Sequence, residues 1–196
     1  MAGHYLKRAA LQAGPRNAEV EATVRRMIAD VAEHSDEAVR RYARDLDKWT
    51  GEFRVPQSRI EEVTRTLPTT FKEDFAYCHA QVTEFAKRQK ESLQAFEVEL
   101  KPGVLLGQKL IPISTAGCYI PGGKYPLISA AIMSVGTAKV AGVERIVAAA
   151  PPRGPDGIYP QTLYALHHSG ADEIYCVGGL RRLARAAVSA ARRLPA

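Results

Sequence analysis

The sequence predicts an α/β protein: a helical N-terminal region followed by an incomplete Rossmann-like βαβ layer with a parallel sheet. Two observations predict it. Residues 17–92 carry apolar side chains at spacings of three and four, the period of helices laid on a core. From Ala116 onward, short apolar and β-branched runs alternate with helical stretches across Gly- and Pro-rich turns, the signature of βαβ units. The chain divides accordingly into residues 1–100, mainly helical, residues 101–179, the Rossmann-like part, and a basic tail over 180–196.

Each element has its local signal. Val20, Val24, Met27, Ile28 and Val31 form the stripe of a first helix, with Asn17 placed to cap it. Ser35 is placed to cap a second, in which Ala38, Val39, Tyr42 and Leu46 repeat the pattern. Pro56 opens a short helix that runs through Leu67. Pro68 ends it and starts a longer one over 69–92, carrying Phe71, Phe75, Cys78, Val82 and Phe85. Residues 96–100 alternate as a strand, and Pro102-Gly103 makes a turn. Residues 104–113 and 116–120 are two further strand candidates. A helix over 126–142 follows, then the run Arg145–Ala150, apolar after its first residue and suited to a strand buried on both faces. A helix over 159–169 and a strand starting at Glu173 complete the order.

Composition bounds the function. An apolar fraction of 46% and a charged fraction of 24% are ordinary globular values and argue against a disordered chain. Lys, Pro or Gly interrupts every apolar stretch before membrane-spanning length, and the first residues lack a continuous apolar core, so neither a membrane span nor a secretory signal is expected. Cys78, Cys118 and Cys176 are odd in number and far apart, which fits reduced thiols and a cytoplasmic location. The net charge of +6 is local: Arg181, Arg182, Arg185, Arg192 and Arg193 lie in the last stretch with no acid, and without them the balance is +1. The tail alone reads as a basic amphipathic helix. With no aromatic stacking residues or nucleic-acid motif beside it, neither nucleic acid nor membrane is an expected partner.

The most informative segment is Gly117-Cys118-Tyr119-Ile120-Pro121-Gly122-Gly123 with the helix after it. It reads as a strand end, a tight turn with paired glycines, and a helix start. Glycines let backbone approach a ligand, and a helix N-terminus offers N–H groups and a positive dipole end to an anion. In open α/β sheets ligands sit at the strands' carboxyl ends. Tyr119 is placed to stack on or hydrogen-bond a nucleotide ring, and Lys124 to pair a phosphate or a sulfonate. The GxGxxG fingerprint is absent.

The run GCYIPGGKYPLISAAIMSVGTAKVAGVERIVAAAPP resembles the histidinol dehydrogenase family, with its G-x-Y-x-P-G-G turn, its A-K-V-A-G-V helix end and its strand closing on Pro-Pro. PGVLLGQKLIPI, FAKRQ at 85–89 and GADEIYCVGG at 170–179 extend the resemblance over most of 45–179. YLKRAA, RYARDLDKWTG, FEVELKPG and Lys124-Tyr125 resemble the sulfopropanediol 3-dehydrogenase branch in particular.

This resemblance implies zinc-requiring oxidation of a primary alcohol to a carboxylate through an aldehyde, with NAD carrying two hydrides. The substrate would be 2,3-dihydroxypropane-1-sulfonate or L-histidinol, and the intact protein a homodimer. Tyr119 stands where the family's NAD-contacting tyrosine stands; Pro121, Gly122, Gly123 and Lys124 make the adjoining cofactor-binding turn. The family's second NAD contact, a Gln in a G-G-x-Q run, is replaced by Arg181. No catalytic residue or zinc ligand maps onto this chain, since both lie further along in family members. The expectation is therefore an N-terminal portion, inactive alone, with 180–196 read as out-of-frame translation. A non-catalytic nucleotide-binding fragment or short paralogue is the alternative.

Other constellations carry less. His167 and His168 are adjacent, about 100° apart on a helix, and cannot face one ion. Cys118 reads as a small buried strand residue with no base near it in sequence. Cys78-His79 lacks a second pair for zinc.

Overall fold

The computed structural model describes residues 18–122 and 125–178. Helix α1 spans Ala18–Asp47, α2 Gln57–Thr66 and α3 Thr69–Glu91. Strands β1 (Phe96–Lys101) and β2 (Val104–Gln108) form an antiparallel hairpin whose turn is closed by Gly103 at φ 80°, a left-handed value that favours glycine. Then come β3 (Thr115–Tyr119), α4 (Ile128–Ala131), a π turn (Ile132–Gly136), α5 (Thr137–Ala141), β4 (Arg145–Ala150), α6 (Pro160–His168) and β5 (Glu173–Cys176). The helical beginning and the parallel βαβ layer are as the sequence predicts.

Local chemistry explains where elements begin and break. α1 is two helical arms joined at Ser35, whose φ of 47° is non-helical. Asp30 on the first arm accepts hydrogen bonds from Arg41 and Tyr42 on the second, which staples the arms together. Asn17, the expected cap, lies outside the described residues. Pro56 and Pro68 precede α2 and α3 as their N-caps. β2 stops at Gln108, short of the predicted 113, because its partner β1 begins at Phe96, directly opposite Gln108.

Two patterns depart from expectation. The inward line of α3 runs Phe71, Phe75, His79, Val82 rather than through Cys78 and Phe85, which are exposed. The predicted 126–142 helix is split by the π turn. There Ser134 Oγ donates to Ala130 O and Thr137 Oγ1 to Met133 O, both at 2.6 Å, and such back-bonding competes with the regular helical ladder. Gly142, at φ 93°, caps α5 in the left-handed conformation.

The sheet is parallel in the order β3-β4-β5, with Tyr119 beside Ala149 and Ala149 beside Tyr175. Residues 53–55 run antiparallel along the outer side of β5: Val55 N–H donates to Ile174 O at 2.9 Å and Cys176 N–H to Phe53 O at 2.7 Å. Both faces are covered. On one, Cys118, Ile120, Ile146, Ala148, Ile174 and Cys176 pack with residues of α2, α3, the π turn and α6. On the other, Ala149 and Val177 pack with Val31, Ala38 and Val39 of α1. The main core thus joins residues from either side of the 100/101 boundary, which itself falls inside β1. The β1–β2 hairpin leaves Phe96, Val98 and Leu106 exposed.

Candidate functional site

The carboxyl ends of β3, β4 and β5 lie side by side, and each runs into a turn: Ile120–Gly122, Pro151–Arg153 and Val177–Gly178. Ile120 N–H donates to Ala149 O at 2.8 Å and Val177 N–H to Ala150 O at 3.0 Å, so pairing continues to the edge where α/β sheets hold ligands.

Strand alternation separates the predicted residues. Cys118 and Ile120 face the main core, whereas Tyr119 faces the α1 side and packs with Ala149 and Val177. Pro121 is half-buried. Gly122 reaches the opposite side, where a shallow depression is lined by Ile120, Gly122, Pro151, Arg153, Tyr159 and Thr162 among others. The depression's cavity is about 10 Å³, room for about one water molecule. Tyr119 does not line it. Gly123 and Lys124, predicted alongside Tyr119, lie outside the described residues.

Gly122 has a packing reason to be glycine. A Cβ there would stand 2.7 Å from Pro151 Cγ and 3.2 Å from its Cδ, so the proline ring fills the space a side chain needs. The sequence suggests room for a ligand; the geometry supplies a close β3-turn to β4-turn contact. Pro151 begins a tight loop in which Pro152 bridges Ile158, Arg153 N–H donates to Gly157 O at 2.7 Å, and the Arg153 guanidinium lies over the Tyr159 ring at 5.7 Å. Arg153, Tyr159 and Thr162 were not singled out from sequence. The string PPRG after an apolar strand, with Pro160 opening a helix, is the signal that points to them.

At the third strand end, Asp47 accepts a hydrogen bond from Gly178 N–H at 3.1 Å. Burial pushes the Asp47 carboxyl up, and the Gly178 bond partly offsets that. Burial also pushes Cys118 up, and Cys176 up to about 12, so neither thiol is poised as a nucleophile. Cys118 is the buried strand residue the sequence indicates.

Among the described residues, no group of three or more His, Cys, Asp or Glu side chains could hold a metal ion. His79 and His168 stand with ring centroids 5.3 Å apart, but no third donor joins them. The described residues therefore do not fit a zinc site. They fit a nucleotide only in part: a strand-to-helix turn at the carboxyl edge, beside a depression too small for a ring.

Comparison with known proteins supplies the rest. The crystal structure of histidinol dehydrogenase from Elizabethkingia anophelis superposes with a TM-score of 0.77 at 25% identity, over 92% of this chain and 40% of that one. A histidinol dehydrogenase homolog from Shouchella clausii is 43% identical over 171 residues, covering 87% of this chain and 40% of the relative. Sulfopropanediol 3-dehydrogenase from Ruegeria pomeroyi is 41% identical over 180 residues, covering 92% and 41%. Histidinol dehydrogenase from Lactiplantibacillus plantarum is 37% identical over 167 residues, covering 85% and 38%. The chain thus spans about two-fifths of the length of these relatives. The family model for histidinol dehydrogenase matches residues 11–192. That range reaches beyond 45–179 at both ends, so the arginine-rich segment up to residue 192 lies within the match instead of marking where it stops. On this match, with the fold in agreement, the chain belongs to the histidinol dehydrogenase family, a family of dehydrogenases.

Proposed function

We propose that this chain supplies the nucleotide side of an NAD-linked dehydrogenase that oxidises a primary alcohol to a carboxylate through an aldehyde. The observation that carries the reading is the Tyr119–Gly122 turn at the carboxyl end of a parallel strand, in a chain of dehydrogenase family. Its 41% identity to a sulfopropanediol 3-dehydrogenase supports 2,3-dihydroxypropane-1-sulfonate as substrate, and L-histidinol is the second choice.

In this reading bound NAD supplies the hydride acceptor. The chain's own part is to bind and orient. Tyr119 meets the nucleotide, Pro121 stiffens the turn, Gly122 and Gly123 set its backbone, and Lys124 pairs an anionic group. Zinc belongs to the proposal for whole family members; the described residues do not fit it, and no step is derived through it. A homodimer in the cytoplasm, acting on a small-molecule alcohol and on neither nucleic acid nor membrane, completes the proposal.

A second reading is a nucleotide-binding module without turnover, in a chain that spans about two-fifths of the length of its relatives. Calorimetric titration of the full chain with NAD tests both. Saturable binding, weakened about tenfold by Tyr119→Ala, is the expected result. NADH absorbance after adding either alcohol then separates the enzyme from the module. No saturable NAD binding overturns both.

A further inference from the structure

We infer that Asp47 is a positioning residue for nucleotide binding: its carboxylate fixes the exit turn of β5 at Gly178, and through that turn the carboxyl edge of the sheet. This role rests on the nucleotide reading above and extends it to a residue outside the Tyr119–Lys124 turn.

The end of α1 is shaped to deliver the carboxylate. Lys48 follows Asp47 at φ 57°, a left-handed value that side-chain-bearing residues seldom adopt. Trp49 N–H then donates back to Ala43 O at 3.0 Å, the six-residue closure that ends a helix through a left-handed residue. Glycine ordinarily fills that position at no steric cost, so a lysine there must be held by its surroundings. Two contacts on either side of Lys48 hold it. Asp47 Oδ2 accepts the Gly178 N–H at 3.1 Å, and the Trp49 indole packs on the β4–α6 loop, where a Cβ on Gly157 would stand 3.2 Å from the ring.

Gly178 is matched to the carboxylate. A Cβ there would collide with Asp47 Oδ1 and stand 2.9 Å from Oδ2, so the carboxylate lies directly against the turn's backbone. From Gly178 the contact continues across the edge. Val177 N–H is bonded to Ala150 O at 3.0 Å, Ala150 leads into Pro151, and the Pro151 ring lies against Gly122. Asp47 and Trp49 thus brace the β5 and β4 exit turns and, by way of Pro151, reach the β3 turn proposed to meet the nucleotide.

The choice of side chain points the same way. Holding one N–H takes only a neutral acceptor, whereas a half-buried carboxylate gives up hydration to do it. Such costs concentrate where ligands bind. Asp47 acts through Gly178; no contact between Asp47 and the nucleotide is required.

The test is a titration of the full chain with NAD, followed by calorimetry and by amide NMR. The Gly178 amide is expected to shift saturably with NAD. Asp47→Ala is expected to weaken NAD binding about tenfold, and Asp47→Asn, which keeps the acceptor, to stay within about twofold of wild type. Val63→Ala, a truncation of a buried α2 residue, controls for lost stability and is expected to leave NAD affinity unchanged. A Gly178 amide that does not respond to NAD overturns the role without recourse to any variant. So does Asp47→Ala binding as tightly as wild type, an Asn variant as weak as the Ala variant, or a Val63→Ala loss equal to that of Asp47→Ala. A wild-type chain that binds no NAD overturns the nucleotide reading and this role with it, whereas wild-type binding untouched by Asp47→Ala overturns the role alone.

Discussion

The carboxylate of Asp47, at the end of α1, holds the backbone N–H of Gly178 at 3.1 Å, closing a contact between residues 131 apart in the chain. The bond ties the long N-terminal helix to the carboxyl end of β5. Burial makes the charged form of Asp47 costly, so its native pKa lies above the ordinary aspartate value of about 3.9. A carboxyl with a raised native pKa binds more protons folded than unfolded. Its penalty is full above the native pKa and vanishes below the unfolded one. Asp47→Asn keeps the acceptor and removes the charge. It is expected to match or exceed the wild-type melting temperature at pH 7, the difference shrinking as pH falls towards 4. Asp47→Ala leaves the Gly178 N–H unsatisfied and is expected to cost about 1–3 kcal/mol in urea unfolding. An Asn variant as unstable as the Ala variant would contradict this account.

Gly122 and Pro151 make the second such joint. Since a Cβ at 122 would stand 2.7 Å from the proline ring, Gly122→Ala is expected to destabilise the chain by about 1–3 kcal/mol through overpacking. Pro151→Ala removes the ring carbons, and the double variant is expected to recover most of the loss in a double-mutant cycle. If the two effects simply add, the glycine answers to something other than Pro151.

What the sequence made legible follows its physics. Proline placement located α2, α3 and α6 to within about a residue, helped in α2 and α3 by a one-sided apolar stripe, whereas α6 buries the consecutive run 162–166. The break of α1 was visible at Ser35. The π turn was not, because back-bonding by Ser134 and Thr137 depends on hydroxyl rotamers that no apolar pattern encodes. The β3 turn was legible as Tyr-x-Pro-Gly-Gly. Its partner loop was not, because Pro151 becomes informative only when parallel pairing places it against Gly122. Asp47 was hidden for the same reason: a carboxylate at the end of an amphipathic helix looks solvated until β5 arrives beside it.

The hairpin yields a prediction about association. Val98 sits opposite Leu106, and Phe96 lies two residues along on the same face; they are 43%, 51% and 56% exposed. A two-stranded ribbon with a bare apolar face is marginal in water, and such patches drive self-association. The full chain is expected to show concentration-dependent association in analytical ultracentrifugation. Val98→Lys combined with Leu106→Glu places opposite charges across the strands and is expected to raise the association midpoint by about tenfold or more. An unchanged midpoint would mean that another surface is responsible.

The aromatic cluster between α3 and α6 predicts acid sensitivity. His79 lies between Phe75, whose ring is 6.1 Å away, and His168 at 5.3 Å; His168 in turn stacks on Tyr164. The Nε2 atom of His79 is buried without a hydrogen-bond partner, and Gly136 of the π turn and Thr83 close the remaining side. The groups facing the pair are therefore aromatic, hydroxyl or backbone, apart from the neighbouring His167. Burial, and then the charge of His168, holds the His79 pKa below its ordinary value; burial, and then His167, does the same for His168. The unfolded chain consequently binds protons near pH 6.5 that the native state refuses. Stability is fully present above about 6.5 and is lost as pH falls below it towards the native values. Urea unfolding between pH 7.5 and 5 is expected to show this loss. His79→Leu is expected to reduce proton uptake on unfolding by about one and to flatten the profile, while raising stability at pH 5 relative to wild type. A profile equally steep in the variant would place the acid sensitivity outside this cluster, since the buried, unpartnered imidazole nitrogen of His79 would then carry none of it.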